Sequence, residues 1–305
     1  MTPVEKAHEF VYRNARSLDL TRWQFHFEDG ARESVMRALA VYQNADGGFG
    51  HALEADAWNP NSAPIQVWAA TEILREIDWT DSGHPVVTGI LRYLASGQDF
   101  DGHFWFNAVR SNNDYPHAPW WHVVNQSEPE DDYNPTACLA SFIIRFANRE
   151  SAVYQLGRRV AQEAIDAYLA QGLLDAMHTV QCYVRLLEDA EIAGDAGLDS
   201  LDALKEKLRL QVRTSITQDT AAWQTAYICK PSLFFNSREN VFYADNQAIA
   251  DYECDYIERT QAEDGLWDIT WSWGAYPEEW AVSKNWWKSG LAISNLLYLK
   301  GMGRL

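Results

Sequence analysis

Basic residues are scarce in this chain of 305 residues. Lys and Arg together number 25 against 43 Asp and Glu, a formal charge of −18 with histidines neutral. A phosphate backbone or an anionic lipid surface is therefore repelled over most of the exterior, which excludes nucleic acid as a partner on electrostatic grounds. Long apolar runs are missing too: nothing approaches the roughly 20 consecutive apolar residues that cross a bilayer. Glu5, Lys6 and Glu9 stand where a secretory signal has its apolar core. Together these absences describe a cytoplasmic protein with no transmembrane segment. Cysteine is limited to Cys138, Cys182, Cys229 and Cys254, with no C-x-x-C pair, which suits buried thiols in a reducing compartment better than a disulfide framework. No G-x-S-x-G, P-loop, G-x-G-x-x-G between strand and helix, or H-E-x-x-H occurs, so acyl-transfer, nucleotide-dependent and zinc-protease chemistries have no anchor. No cofactor is evident, and the sequence leaves Mg²⁺ and Zn²⁺ open. Strand-like alternation is also rare.

Apolar and aromatic residues, by contrast, are plentiful: 47% of the chain is hydrophobic and 13% aromatic, with 14 tryptophans. That supports a large folded core. One phrase recurs, as Gln43-Asn44-Ala45-Asp46-Gly47-Gly48-Phe49, Gln98-Asp99-Phe100-Asp101-Gly102-His103-Phe104 and Gln261-Ala262-Glu263-Asp264-Gly265-Leu266-Trp267. The common pattern is Q-x-x-D-G-x-[FW]. Its copies start 55 and then 163 residues apart, which fits six units of about 51 to 54 residues with degenerate middle copies. The flanks are helical in period: Val35, Met36, Leu39, Ala40 and Tyr42 lead into the first copy, and Ile65, Trp68, Ile73, Leu74 and Ile77 follow it. Leu198, Leu201, Leu204, Leu208 and Val212 form a further stripe. Each unit reads as helix, Asp-Gly turn, helix. The glycine takes positive φ where the first helix ends, the Asp bonds nearby backbone N–H groups, and the Gln reaches exposed backbone of a neighbouring helix end.

Asn59-Pro60 and Asn134-Pro135 read as helix starts, with Asn as N-cap and Pro at the first helical position. His178 lies at another apparent helix start. Between Phe104 and Asn134 runs an irregular insertion, at about 105–133, with Pro116, Pro119 and Pro129; a long loop inside a compact repeat fold is usually functional.

The Q-x-x-D-G-x-[FW] phrase resembles the QW motif of the terpenoid cyclase and protein prenyltransferase superfamily. That resemblance implies an all-α fold, an (α/α)6 toroid of helical hairpins in two concentric rings around a central cavity, made by one domain over residues 1–305. It also implies that a small-molecule ligand, isoprenoid in kind, occupies the cavity. In the cyclase pattern D-x-D-D-T-A, aligned on Thr136-Ala137, Asp132 takes the first Asp and Asn134 the place of the proton donor. The amide of Asn134 cannot supply that proton, so Glu130, Asp131 and Asp132 are the candidate acids one turn upstream, where crowded carboxylates hold one another protonated. In the prenyltransferase zinc pattern Cys138 and His178 find Thr136 where an Asp belongs, and no metal site is assigned.

His117, with His122, adds a titratable imidazole to the proline-stiffened insertion, and Trp120 and Trp121 add aromatic surface beside it. His51, Glu54, Asp56 and Asn134 precede presumed inner helices, and Trp271 and Trp273 follow the last turn; all are candidates for substrate contact. Indoles suit carbocations through cation–π contact and sugar rings through stacking. The first expectation is an isoprenoid-handling enzyme. A carbohydrate-active hydrolase or lyase using paired carboxylates is the alternative, and a non-catalytic ligand-binding scaffold is the third.

Overall fold

A computed structural model describes residues 1–124, 133–194 and 197–305. Among them the chain is all-helical: α1 (Pro3–Asn14), α2 (Ser17–Phe27), α3 (Arg32–Ala40), α4 (Pro64–Glu76), α5 (Pro85–Ala95), α6 (Thr136–Phe146), α7 (Ala152–Ala170), α8 (Met177–Ala193), α9 (Leu201–Ser215), α10 (Tyr243–Thr260) and α11 (Pro277–Gly301), with short 3-10 turns between several of them. The described residues form no strand beyond isolated bridges. The helices fall into two compact units, one of Met1–Leu39 with Val212–Leu305, the other of Ala40–Gln211.

In the contiguous unit α6 is the central element. Its sequence TACLASFIIRF has no charge before Arg145, and every residue from Thr136 to Ile144 is buried. A helix apolar on all sides has to be covered on all sides, and α6 packs against α4, α5, α7 and α8. Around α6 the buried charges are paired across helices. Arg75 on α4 makes two bonds to Asp189 on α8, at 3.1 and 2.8 Å. Arg145 and Ser141 on α6 reach the same carboxylate at 3.2 and 2.8 Å. Arg185 on α8 bonds Glu72 on α4 and Glu188, both at 3.0 Å. Three helices are thereby cross-tied by groups whose desolvation is repaid only while every partner is present.

The two Asn-Pro phrases do not act as caps. Helix α4 begins at Pro64, with Ala63 in the cap position and no side-chain cap bond. The Asn59 side chain is spent on loop contacts, and Pro64 supplies the pre-set first φ instead. Helix α6 begins at Thr136 after a cis Asn134–Pro135 peptide, with Pro135 itself at the cap. The start at His178 is where the sequence placed it, since α8 opens at Met177. Of the stripe expected from Leu198 to Val212, Leu204, Leu208 and Val212 are fully buried on α9, Leu201 is half-buried at its start, and Leu198 lies before the helix.

The recurrent turn is built alike in its first and third copies. Gln43 Nε2 donates to Gly47 O at 2.9 Å and to Val86 O, in the first turn of α5, at 3.0 Å. Gln261 Nε2 donates to Gly265 O and to Pro3 O, in the first turn of α1, both at 2.8 Å. Asp46 and Asp264 each accept from the backbone N–H two residues on. Gly47 and Gly265 have φ of 95° and 83°, and each lies flat on the helix that its Gln clamps: a Cβ on Gly47 would sit 2.1 Å from Gly89 O, one on Gly265 2.0 Å from Lys6 O. Phe49 and Trp267 then enter the core. The second copy departs from this scheme. The Gln98 side chain is exposed and, among the described residues, donates to Asp99 alone, Arg159 of α7 takes the Gly102 carbonyl at 2.9 Å, and the buried aromatic is Trp105, one residue late. In the discontinuous unit, α1 and α2 pack against α11, and α10 also touches α11; the last turn of the chain thus clamps its first helix.

Candidate functional site

The residues singled out in the first Asp-Gly loop and in the long insertion meet in the contiguous unit. The segment 50–62 leaves the first turn and leads to α4; the segment 105–123 follows the second turn. They join edge to edge: Trp58 N donates to Pro116 O at 2.9 Å and Ala118 N to Asp56 O at 2.8 Å, around the bridge between Ala57 and His117. Asn59 locks the pair from one side, donating through Nδ2 to Ser111 Oγ (2.8 Å) and Asn112 Oδ1 (2.9 Å). Asn112 donates in turn to Trp121 O, and Asn113 exchanges two bonds with Val123. Side-chain amides thus do the work that strand ladders do elsewhere, and an irregular loop is held in one form.

Glu54 and Asp56 are both buried, at 6% and 3% exposure. Glu54 N donates to Gln66 Oε1 at 2.7 Å, and a Glu54 carboxylate oxygen accepts from Asp56 N at 3.1 Å. Gln66, on the first turn of α4, also donates to Ala57 O. His117 is equally buried. Its Nδ1 meets Tyr115 O at 2.6 Å, and since a carbonyl only accepts, Nδ1 carries the proton. Nε2 faces His122 Nδ1 at 3.0 Å, the two ring planes within 8° of each other and their centroids 5.3 Å apart. One proton fits between them. The His122 residue is exposed, so the buried His117 ring reaches the surface through it.

Aromatic surface lies in the same loops. Trp68 of α4 and Trp121 pack against Ala63, Ile65 and Val109, and the buried Nε1 of each has no acceptor among the described residues. Trp120 stands out at 46% exposure. Beside the first turn runs a groove of about 300 Å³ lined by Asn44, Asp46, Pro60, Asn61, Ser62 and Gln98.

The other candidates lie elsewhere. His51 is exposed and its Nε2 contacts Asn44 Oδ1 at 3.0 Å, on the outside of the turn. The Asn134 side chain accepts from the Cys182 thiol at 3.6 Å. Glu130, Asp131 and Asp132 lie outside the described residues. In the discontinuous unit, Trp273 is buried beside Trp280, while Trp271 meets Tyr227 and Trp287 edge to face at 5.6 and 5.4 Å. His178 sits at the start of α8, where burial holds its imidazole below the usual range. Among the described residues no three His, Cys, Asp or Glu side chains converge as metal ligands, and no helix is long and apolar enough to cross a membrane. Sequence reasoning missed Gln66 and Asn112; single amides carry no periodic signal. It also missed the Arg75–Asp189 cluster, whose E-x-x-R and R-x-x-E spacings were there to be read.

Comparison with protein-family models, with curated proteins and with solved structures finds no match.

Proposed function

We propose that this chain is an α/α toroid of the terpenoid cyclase and protein prenyltransferase type, and that it is an isoprenoid-handling enzyme. The observation that carries the reading is the duplicated joint: Gln43 and Gln261 make the same pair of bonds, to their own turn glycine and to the first turn of the helix beside it. In the third copy that neighbour is the chain's own first helix. A ring of hairpins needs such a closing joint, and an open array does not. The loop cluster of 50–62 with 105–123 then forms the mouth of the cavity. Trp68 and Trp121 offer π faces that stabilise a developing carbocation, and His117 with His122 removes the proton that ends a cationic cascade as an alkene. The initiating acid falls to Glu130, Asp131 and Asp132.

A carbohydrate ligand is the second reading, and one feature favours it: the groove beside the first turn is lined by amides, a carboxylate and a hydroxyl. A panel of prenyl diphosphates, neutral polyprenes and oligosaccharides, each with and without Mg²⁺ or Zn²⁺, separates the two by the thermal midpoint, because selective binding to the native state raises it. The first reading expects a shift with an isoprenoid and a new product by gas chromatography, lost in His117→Ala. A shift with sugars alone overturns it in favour of the second. No shift with any ligand overturns both and leaves a scaffold.

A further inference from the structure

Asp is followed by Gly at four places in the sequence: Asp29-Gly30, Asp46-Gly47, Asp101-Gly102 and Asp264-Gly265. A glycine has no side chain to shield its amide nitrogen from the carboxyl group of the residue before it, and closing a five-membered ring between the two needs only the right local geometry. Three of the four glycines are shut against that approach. Gly30 N donates to Gln24 O at 2.8 Å, Gly47 N to Asn44 O at 2.9 Å and Gly265 N to Ala262 O at 3.0 Å. Each also lies on neighbouring backbone: a Cβ there would stand 2.7 Å from Gln24 C, 2.1 Å from Gly89 O and 2.0 Å from Lys6 O respectively.

Gly102 has neither restraint. In the first and third copies of the recurrent turn the glycine N–H goes to the carbonyl of the residue after the Gln; in the second copy that residue is Asp99, and its oxygen accepts from Phe106 N at 2.8 Å instead. Among the described residues the Gly102 N–H makes no hydrogen bond, and no atom lies within 4 Å of the place its Cβ would take. Asp101 is exposed. Its Oδ1 accepts from His103 N at 2.8 Å and from Phe104 N at 2.7 Å, which folds the carboxyl group back over its own turn. Asp46 and Asp264 fold back in the same way, so the carboxyl group is placed alike in all three copies and the freedom of the amide is what differs. A glycine whose N–H must first leave its acceptor, and whose backbone is packed on a helix, reacts only when the turn opens. At Gly102 no such opening is needed.

We propose that Asp101 is a modification site, the Asp-Gly pair that isomerises to isoaspartate in the folded protein. The Gly102 nitrogen forms a bond to Asp101 Cγ, and one carboxyl oxygen leaves as water, taking the N–H proton and a proton from solvent. Water then opens the cyclic imide and that proton returns to solvent. Breaking the N–Cγ bond restores aspartate; breaking the bond from nitrogen to the Asp101 carbonyl carbon leaves the main chain running through Cγ, longer by a methylene. The net reaction is an isomerisation, with no oxidant, metal or second substrate. The lengthened turn lies just before Trp105, whose backbone exchanges two bonds with Thr136 Oγ1 at the head of α6, at 3.0 and 3.2 Å, so the change acts on the joint that opens the segment 105–123. The test holds the full chain at neutral pH and physiological temperature, once native and once in guanidinium chloride. Isoaspartate at each of the four positions is followed by peptide mass spectrometry with electron-transfer fragmentation. Native Asp101 is expected to isomerise severalfold faster than Asp29, Asp46 or Asp264, and the four rates to converge in guanidinium chloride. Gln43→Ala, which frees the first turn from α5, raises the rate at Asp46 and leaves that at Asp101 unchanged. A native rate at Asp101 equal to or below that of any of the other three overturns the proposal.

Discussion

The imidazoles of this chain differ in what surrounds them, and the difference is chemical. His117 is held between a carbonyl and a second imidazole, so its ring is oriented. His178 lies at the start of α8, among groups that exclude water. The positive end of a helix also disfavours a cation there. Its folded-state value is lowered below 6.5 chiefly by desolvation, so the folded protein binds fewer protons than the unfolded chain as pH falls. The stability this group contributes is present above the unfolded value and is lost as pH drops through the folded one. Urea midpoints between pH 7 and pH 5 should therefore fall more steeply for the native sequence than for His178→Gln; equal slopes would mean that the ring takes up protons alike in the folded and unfolded states. Asp189 is the residue where the same logic of burial acts through geometry: Arg75, Arg145 and Ser141 all converge on it.

The recurrent turn is the element that the sequence made plainest, and its three copies show what a pattern can and cannot convey. Positive φ at Gly47, Gly102 and Gly265, and the Asp that bonds its own turn, were legible because each follows from local sterics. That Gln98 fails to clamp was not legible. Its partner helix lies outside the motif, and Arg159, 57 positions beyond Gly102, has taken the carbonyl. The three glutamines should therefore differ in worth. Gln43→Ala and Gln261→Ala each break two bonds and should cost about 1 to 2 kcal/mol by chemical denaturation, whereas Gln98→Ala should fall within about 0.5 kcal/mol of the native chain. Equal losses at all three would show that the clamp is not what the Gln contributes. The candidate site was legible in its residue types and hidden in its wiring. Glu54, Asp56 and His117 announce themselves as costly side chains in irregular segments, but the Asn59–Asn112 lock that joins the segments rests on amides 53 positions apart, which no periodicity reports. The Asn-Pro phrases misled for a related reason: an Asn can serve a loop or a helix end, and only tertiary contacts choose between them.

At the scale of the whole molecule, the all-α class followed from period alone, while the grouping of the helices did not. One unit is contiguous in sequence, and the other is assembled from both ends of the chain. Within the latter, Ala7 and Val11 of α1 are fully buried and Pro3 O accepts from Gln261. Deleting residues 1–16 removes that bond, worth about 1 kcal/mol, and the burial of Val11 and Ala7, worth about 2 kcal/mol more. The thermal midpoint should drop by about 6 to 12 °C on this account, and an unchanged midpoint in differential scanning calorimetry would show that α1 is an ornament on its unit. Two-state analysis applies to each unit only if calorimetric and van't Hoff enthalpies agree.

The clamp between Gln261 and Pro3 also sets an order of events at the ribosome. Residues 40–211 have all their unit's partners once that stretch has emerged, and domains tend to fold as they appear. The first helix is in the opposite position: α2 follows it at once, but the turn that clamps it, at Gln261, comes 258 residues after Pro3. Pairings of that span close late. The amphipathic first helix, with its capping box at Thr2 and Glu5, thus waits for its clamp longer than any helix of the contiguous unit, and that wait is an opening for a holdase chaperone.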